Sequence, residues 1–343
     1  MENASLYVGP FLKSFVICVS LIFLLQFFFK GCTSKKRSDD RHNKYARNVS
    51  RLGGVAIIIS FLISLFWNEN LVITQQITGI VAATILILIF GLIDDYFELD
   101  WRIQLFLQVC AAVIVFIGGA KIEYITNPMG GLIYLDTGLL PSLFLGIFWI
   151  VLLMNSMNWI DGIDGLSGGV ALIAVLAIFF LSIKPEVNQP PVGIITMILA
   201  GSFLGFLIFN FHPAKIIAGT SGAMFMGFIL AALSIFAGTK IATTLLVLSI
   251  AVIDVLSVMI QRIRSGESVF VSDRRHLHHK LLELGWSHRK INIFFYATTA
   301  LVAFVALNTR EIGKVATIVL VILIMFLIMI VINKKINEKS FRL

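Results

Sequence analysis

Apolar runs, each close to the ~20 residues that cross a bilayer as a helix, alternate with short polar stretches along the whole sequence. The runs fall near 8–29, 52–68, 74–93, 103–120, 139–156, 165–183, 192–210, 222–238, 240–261, 291–308 and 314–333. They predict an all-α polytopic membrane protein with eleven transmembrane helices, forming one integral-membrane domain over residues 1–343. The first run is too long for a signal peptide and lacks a small-residue cleavage site, so it is read as a span.

Lys and Arg fix the expected orientation, because they concentrate in cytoplasmic loops. They crowd the stretch from Lys30 to Arg51, the stretch from Arg262 to Lys290, and the tail from Lys334 to Arg342. With eleven spans these three regions share one side. The N-terminus is then outside and the C-terminus cytoplasmic. The expected active site is built from the cytoplasmic loops 30–51, 94–102, 155–164, 210–221 and 262–290.

Composition sharpens the picture. The chain is 58% hydrophobic and only 13% charged, where a soluble domain carries about 25% charged residues. Its formal charge of +8 is explained by juxtamembrane Lys and Arg and implies no nucleic acid partner. The three cysteines, Cys18, Cys32 and Cys110, have no spacing that suggests a metal site or a disulfide framework.

The stretch Asn155-Ser-Met-Asn158-Trp-Ile-Asp161-Gly-Ile-Asp164-Gly-Leu-Ser-Gly-Gly169 puts amides, carboxylates and glycines between two apolar runs. Charged groups cost about 3 kcal/mol each at the centre of a membrane helix, so such a cluster marks a water-facing site. Asp94 and Asp95 close the third run and form a hard oxygen site suited to Mg2+ and its bound phosphates. Asn158 and Asp161 can add an amide carbonyl and a carboxylate. The bland alternative for Asp94-Asp95 is a solvated helix end paired with Arg102.

His276, His278 and His279 lie among Arg274, Arg275 and Lys280. The spacing fits no zinc signature, and the flanking cations favour an anion such as a diphosphate. On a short helix, Leu277, Leu281 and Leu284 would share a face suited to the membrane interface. Gly219-Thr220-Ser221-Gly222 opens the eighth run, where helix amides suit phosphate and Ser221 suits a plain N-cap. Asp254 lies inside the ninth run, either as a functional group or as a hydrogen bond fixing a helix break. Carboxylates for a metal, and bases and helix ends for phosphate, point to phosphoryl transfer between a nucleotide-activated donor and a lipid. A transporter would place its ionisable groups nearer the bilayer midplane.

Arg51-Leu-Gly-Gly54, Gly91-Leu-Ile-Asp-Asp95, the Asn155–Leu166 stretch, Asn210-Phe-His-Pro-Ala-Lys215 and Asp273-Arg-Arg-His-Leu-His-His-Lys-Leu-Leu282 occur in this order. Together they resemble the polyprenyl-phosphate N-acetylhexosamine-1-phosphate transferases (glycosyltransferase family 4) over roughly Arg51 to Trp286. The resemblance implies that a polyprenyl phosphate attacks the β-phosphorus of a UDP-sugar, releasing UMP, with Mg2+ as cofactor and Mn2+ as a substitute. It implies that Asp94 and Asp95 position the metal or the lipid phosphate, and that Asn158 is a metal ligand. Asp161 and Asp164 would bind nucleotide or orient phosphate. Lys44, Arg51, Lys215, His276, His278 and His279 would bind substrate and neutralise the diphosphate.

The His-Leu-His-His form resembles the GlcNAc-1-phosphate branch. It implies UDP-GlcNAc as donor and undecaprenyl phosphate as acceptor, in teichoic acid or O-antigen-type lipopolysaccharide pathways at the cell membrane. Phospho-MurNAc-pentapeptide transfer is the alternative. A homodimer is a compatible assembly.

The chain departs from the family pattern at Thr220, where the family has an Asp that ligates Mg2+. That departure allows a weakly active or inactive substrate-binding homologue. Ser50 also stands where Pro is usual, and Asp254 lacks its usual Pro and Thr neighbours.

Overall fold

In a computed structural model, residues 2–28, 49–126, 131–135, 139–237, 240–268, 274–309 and 311–340 are described. Helices dominate them, and they lie where the apolar runs predict. The first eight runs become α1 (Glu2–Phe28), α2 (Gly53–Phe66), α3 (Gln75–Phe97), α4 (Trp101–Ile117), α5 (Leu139–Ile160), α6 (Leu166–Ser182), α7 (Pro190–Asn210) and α8 (Gly219–Phe236). Then follow α9 (Ile241–Val247), α10 (Ser249–Arg264), α11 (Leu277–Glu283), α12 (His288–Asn308) and α13 (Glu311–Ser340). A small antiparallel hairpin, β1 (Tyr124–Thr126) with β2 (Leu132–Tyr134), pairs Tyr124 with Tyr134 between α4 and α5.

Seven of these helices are long and apolar enough to cross a membrane, eight if α9 and α10 count as one span. The run near 240–261 is not one straight helix: α9 and α10 meet at an angle of 76°. Three other predicted spans, α2, α4 and α6, are shorter apolar helices of 14, 17 and 17 residues.

Helix α8 is the axis of the fold. It packs against α5, α3, α2 and α6, and 89% of its span is buried, against 22% for α1 and 17% for α13. Several polar side chains inside the bundle pair across helices, which offsets the cost of placing them in an apolar surrounding. Ser60 donates to Ser202 at 2.9 Å, Trp149 donates to Ser234 at 2.9 Å, and Asn155 donates to Gln108 at 2.7 Å.

Candidate active site

The carboxyl ends of α3, α5, α7 and α10 and the amino ends of α6 and α8 meet at one end of the bundle. A short strand-like contact ties this end together. Ile217 N–H donates to Ser50 C=O (3.0 Å), and Gly53 and Gly54 N–H donate to the carbonyls of Ile217 (3.0 Å) and Ala218 (2.9 Å). The Arg-Leu-Gly-Gly segment therefore fixes the start of α2 against the entry to α8.

Asp94 sits in the last turn of α3 and is fully buried. One carboxylate oxygen accepts from Gln104 Nε2 (2.7 Å) and Leu99 N–H (2.9 Å), and the other accepts from the Thr220 hydroxyl (2.6 Å). The pairing of this helix end with Arg102 is not what holds it. Arg102 lies over the Trp101 ring, and its backbone N–H is capped by Asp100.

Asp95 reaches the first turn of α8. It accepts from Thr220 N–H at 2.8 Å and from Ser221 N–H and Oγ at 3.4 Å. Arg51 Nη1 lies 4.0 Å away. The amino end of α8 is thus engaged by a carboxylate from α3, and its N-cap is Ala218, not Ser221. Gly219, at φ +69, makes the turn; a Cβ there would run into the Asp95 carboxylate.

Asp161 and Asp164 lie on the tight loop between α5 and α6, one helical turn beyond Asn158. Ser167 donates to Asp161. Burial pushes the Asp161 carboxyl up to about 7; the nearby charges of Asp95 and Asp164 add to the rise, while Ser167 and Arg51 oppose it. Three acidic groups, Asp95, Asp161 and Asp164, therefore influence one another here, although they come from α3 and the 161–165 loop.

Several residues outside the expected set hold this loop. Gly165 N–H donates to Asn210 (2.9 Å), Asn292 donates to the Asp164 carbonyl (2.8 Å), and Tyr296 donates to the Gly165 carbonyl. The Asp164 carboxylate accepts from Ala214 N–H (3.1 Å) and pairs with His212 Nδ1 (2.7 Å).

The His segment folds back over the same loop. Asp254, buried in α10, accepts from Leu277 N–H (2.8 Å) and meets His276 Nδ1 (2.9 Å). It thereby caps α11 and holds the His276 ring by its Nδ1 edge. Leu277 and Leu281 belong to the protein core, so that face of α11 packs inward instead of lying in the membrane interface.

His278 is fully buried, and neither ring nitrogen has a hydrogen-bond partner among the described residues. Burial and then the rings of His279, His276 and His288 hold it well below the usual imidazole range, so it is neutral. Its ring presses on Gly162, where a Cβ would collide with Nε2. The His279 ring lies beside it, tilted by 46° with centroids 4.1 Å apart, and the His276 ring is nearly parallel to it at 5.8 Å. Trp159 lies edge-on to His276 (5.6 Å) and under the guanidinium of Arg262 (5.7 Å).

The structure thus brings together Asp94, Asp95, Asp161, Asp164, Arg51, Thr220 and the His segment. Lys215 is exposed, with its main chain tied to Phe209 and Gln26. Lys44 lies outside the described residues.

The helix bundle thus gathers acidic, basic and imidazole groups at one end, and its likeness to known proteins says which class of protein it belongs to. Residues 77–238 match the family described as glycosyl transferase family 4. The chain is 32% identical over 289 residues to the decaprenyl-phosphate N-acetylglucosaminephosphotransferase of Mycobacterium leprae, covering 76% of this chain and 73% of that protein. It is 27% identical over 281 residues to a probable undecaprenyl-phosphate N-acetylglucosaminyl 1-phosphate transferase of Bacillus subtilis (78% and 74%). It is also 31% identical over 319 residues to the phospho-N-acetylmuramoyl-pentapeptide-transferase of Halalkalibacterium halodurans (86% and 94%). The chain belongs to glycosyl transferase family 4, among the polyprenyl-phosphate N-acetylhexosamine-1-phosphate transferases.

Proposed function

We propose that this enzyme transfers GlcNAc-1-phosphate, or a related HexNAc-1-phosphate, from a UDP-sugar to undecaprenyl phosphate on the cytoplasmic side of the cell membrane. An oxygen of the lipid phosphate attacks the β-phosphorus, the α–β anhydride bond breaks, and UMP leaves with the bridging oxygen. The product is a lipid-linked sugar diphosphate, the first membrane intermediate of an envelope glycan.

The observation that carries this reading is His278. A fully buried imidazole with no partner for either nitrogen costs several kcal/mol in isolation. Here it is aimed at the loop that carries Asp161 and Asp164. A substrate that brings hydrogen-bonding oxygens to this spot removes that cost. Arg51 and His279 stand beside the same loop to offset diphosphate charge. The lipid phosphate needs no strong base, because its second pKa of about 6 leaves it mostly dianionic at neutral pH.

The donor set also fits Mg2+. Asp161 is held near neutrality by burial and by Asp95 and Asp164, a charge conflict that a divalent cation relieves. Asn158 and Asp161 would hold the ion, with Asp94, Asp95 and Thr220 alongside. When bound, the ion supplies positive charge to the breaking diphosphate.

A second reading is favoured by Thr220. Its hydroxyl donates to Asp94, at the position where the family pattern has a carboxylate. A chain with that neutral group binds donor but turns it over slowly or not at all. UMP release from UDP-GlcNAc and undecaprenyl phosphate, with and without Mg2+, decides between them. Cation-dependent UMP release supports the first reading. Donor binding without UMP supports the second, and neither binding nor release defeats both.

A further inference from the structure

Three side chains of metal-ligating type meet where the 161–165 loop packs against the α7–α8 connection and the start of α12. Asp164 comes from that loop, His212 from the connection between α7 and α8, and His288 from the first turn of α12. One donor atom from each lies within 4.8 Å of the other two, and all three residues are half-buried. The His212 and His288 rings lie 4.4 Å apart, tilted by 30°.

The framework behind them is fixed. Asn292 holds the Asp164 carbonyl, Ala214 N–H holds its carboxylate, and Arg289 Nη2 reaches the His212 carbonyl at 3.4 Å. Outer bonds of this kind orient ligands before an ion arrives.

We propose that Asp164, His212 and His288 form a binding site for a borderline transition-metal cation, Zn2+ in the first place. Two imidazoles and one carboxylate suit zinc better than Mg2+, which takes oxygen ligands. Three protein ligands leave a fourth position open, the pattern of an exchangeable or reactive ion and not of a closed structural one. Asp164 also bears on the charge of Asp161, whereas His212 and His288 belong neither to the groups proposed for Mg2+ nor to the His276–His279 segment. The metal binding itself does not rest on the proposed reaction.

The test uses the full-length chain without an affinity tag, purified in detergent and stripped with a chelator. Co2+ is titrated as a coloured stand-in, and Zn2+ is titrated against a chromophoric chelator. One equivalent binds, with visible Co2+ bands of low-symmetry four-coordination. His212→Ala and His288→Ala each weaken binding by about 100-fold, at least the loss typical of disturbing a ligand's surroundings. His288→Cys keeps a ligating atom; it restores binding and adds a sulfur-to-cobalt charge-transfer band. His279→Ala retains the wild-type equivalent. The proposal is overturned if the wild-type chain binds no equivalent, or if binding survives His288→Ala and disappears in His279→Ala.

Discussion

Thr220 and Asp161 show how much single groups decide at this site. The Thr220 hydroxyl donates to the buried Asp94 carboxylate at 2.6 Å, so a neutral donor stands where a second anion would repel. In Thr220→Asp two carboxylates face each other and need a cation between them. The chelator-treated variant should melt several degrees below wild type, and Mg2+ should raise its melting temperature more than it raises wild type's. Equal Mg2+ shifts in the two proteins would refute this account of position 220. Asp161 gives a pH prediction. Its carboxyl keeps a proton up to about pH 7 in the folded chain but releases it near 3.8 when unfolded. Between those values the folded state holds the extra proton, so stability falls as pH rises and levels off above 7. In cation-free protein, Asp161→Asn should lose this slope, being more stable than wild type at about pH 8 and similar at about pH 4. Parallel melting curves for the two proteins across that range would argue against a raised carboxyl.

At the scale of elements, α10 and α11 act through one carboxylate. Asp254 accepts from the first amide of α11 and from the His276 ring. Asp254→Ala removes both bonds, of order 1–3 kcal/mol each when buried. Hydrogen exchange across 277–283 should then speed up at least about tenfold, and UMP release should fall. Asp254→Asn keeps an oxygen for the Leu277 amide but can turn an N–H toward His276. Protection should survive there while turnover falls. Loss of neither in Asp254→Ala would remove Asp254 from the site.

These elements also show what the sequence made legible. The carboxylates at 94, 95, 161 and 164 and the His segment stand out because charge is scarce in an apolar chain. Their neutral partners do not. Gln104, Ser167 and Asn210 look like ordinary helix-end residues, and Ser or Thr inside a membrane helix commonly bonds its own turn, as Thr84 does with Ile80. One signal was available. His288, Asn292 and Tyr296 recur every four residues along α12, a polar stripe on one face whose last two members grip the Asp164–Gly165 loop. The break between α9 and α10 carries no Pro or Gly, so composition hid it; only Asp254 hinted at a change of direction.

For the whole molecule, apolar runs marked where helices lie, but seven or eight of them are long enough to span a bilayer; crossing, bending and depth depend on packing that periodicity does not encode. The orientation drawn from Lys and Arg yields its own test. Glu186, between α6 and α7, and Arg274, before α11, are both exposed. In a chain lacking Cys18, Cys32 and Cys110, a cysteine replacing Glu186 should react with an impermeant maleimide in intact cells. A cysteine replacing Arg274 should react only after permeabilisation, and the reverse pattern would invert the topology. The sheathing of α8 has a further consequence. The helices around it, α1, α5, α12 and α13 above all, carry the outer surface, while the rod that carries Thr220 to the reacting end touches almost nothing but protein. A change in bilayer thickness therefore reaches α8 only through the helices that surround it.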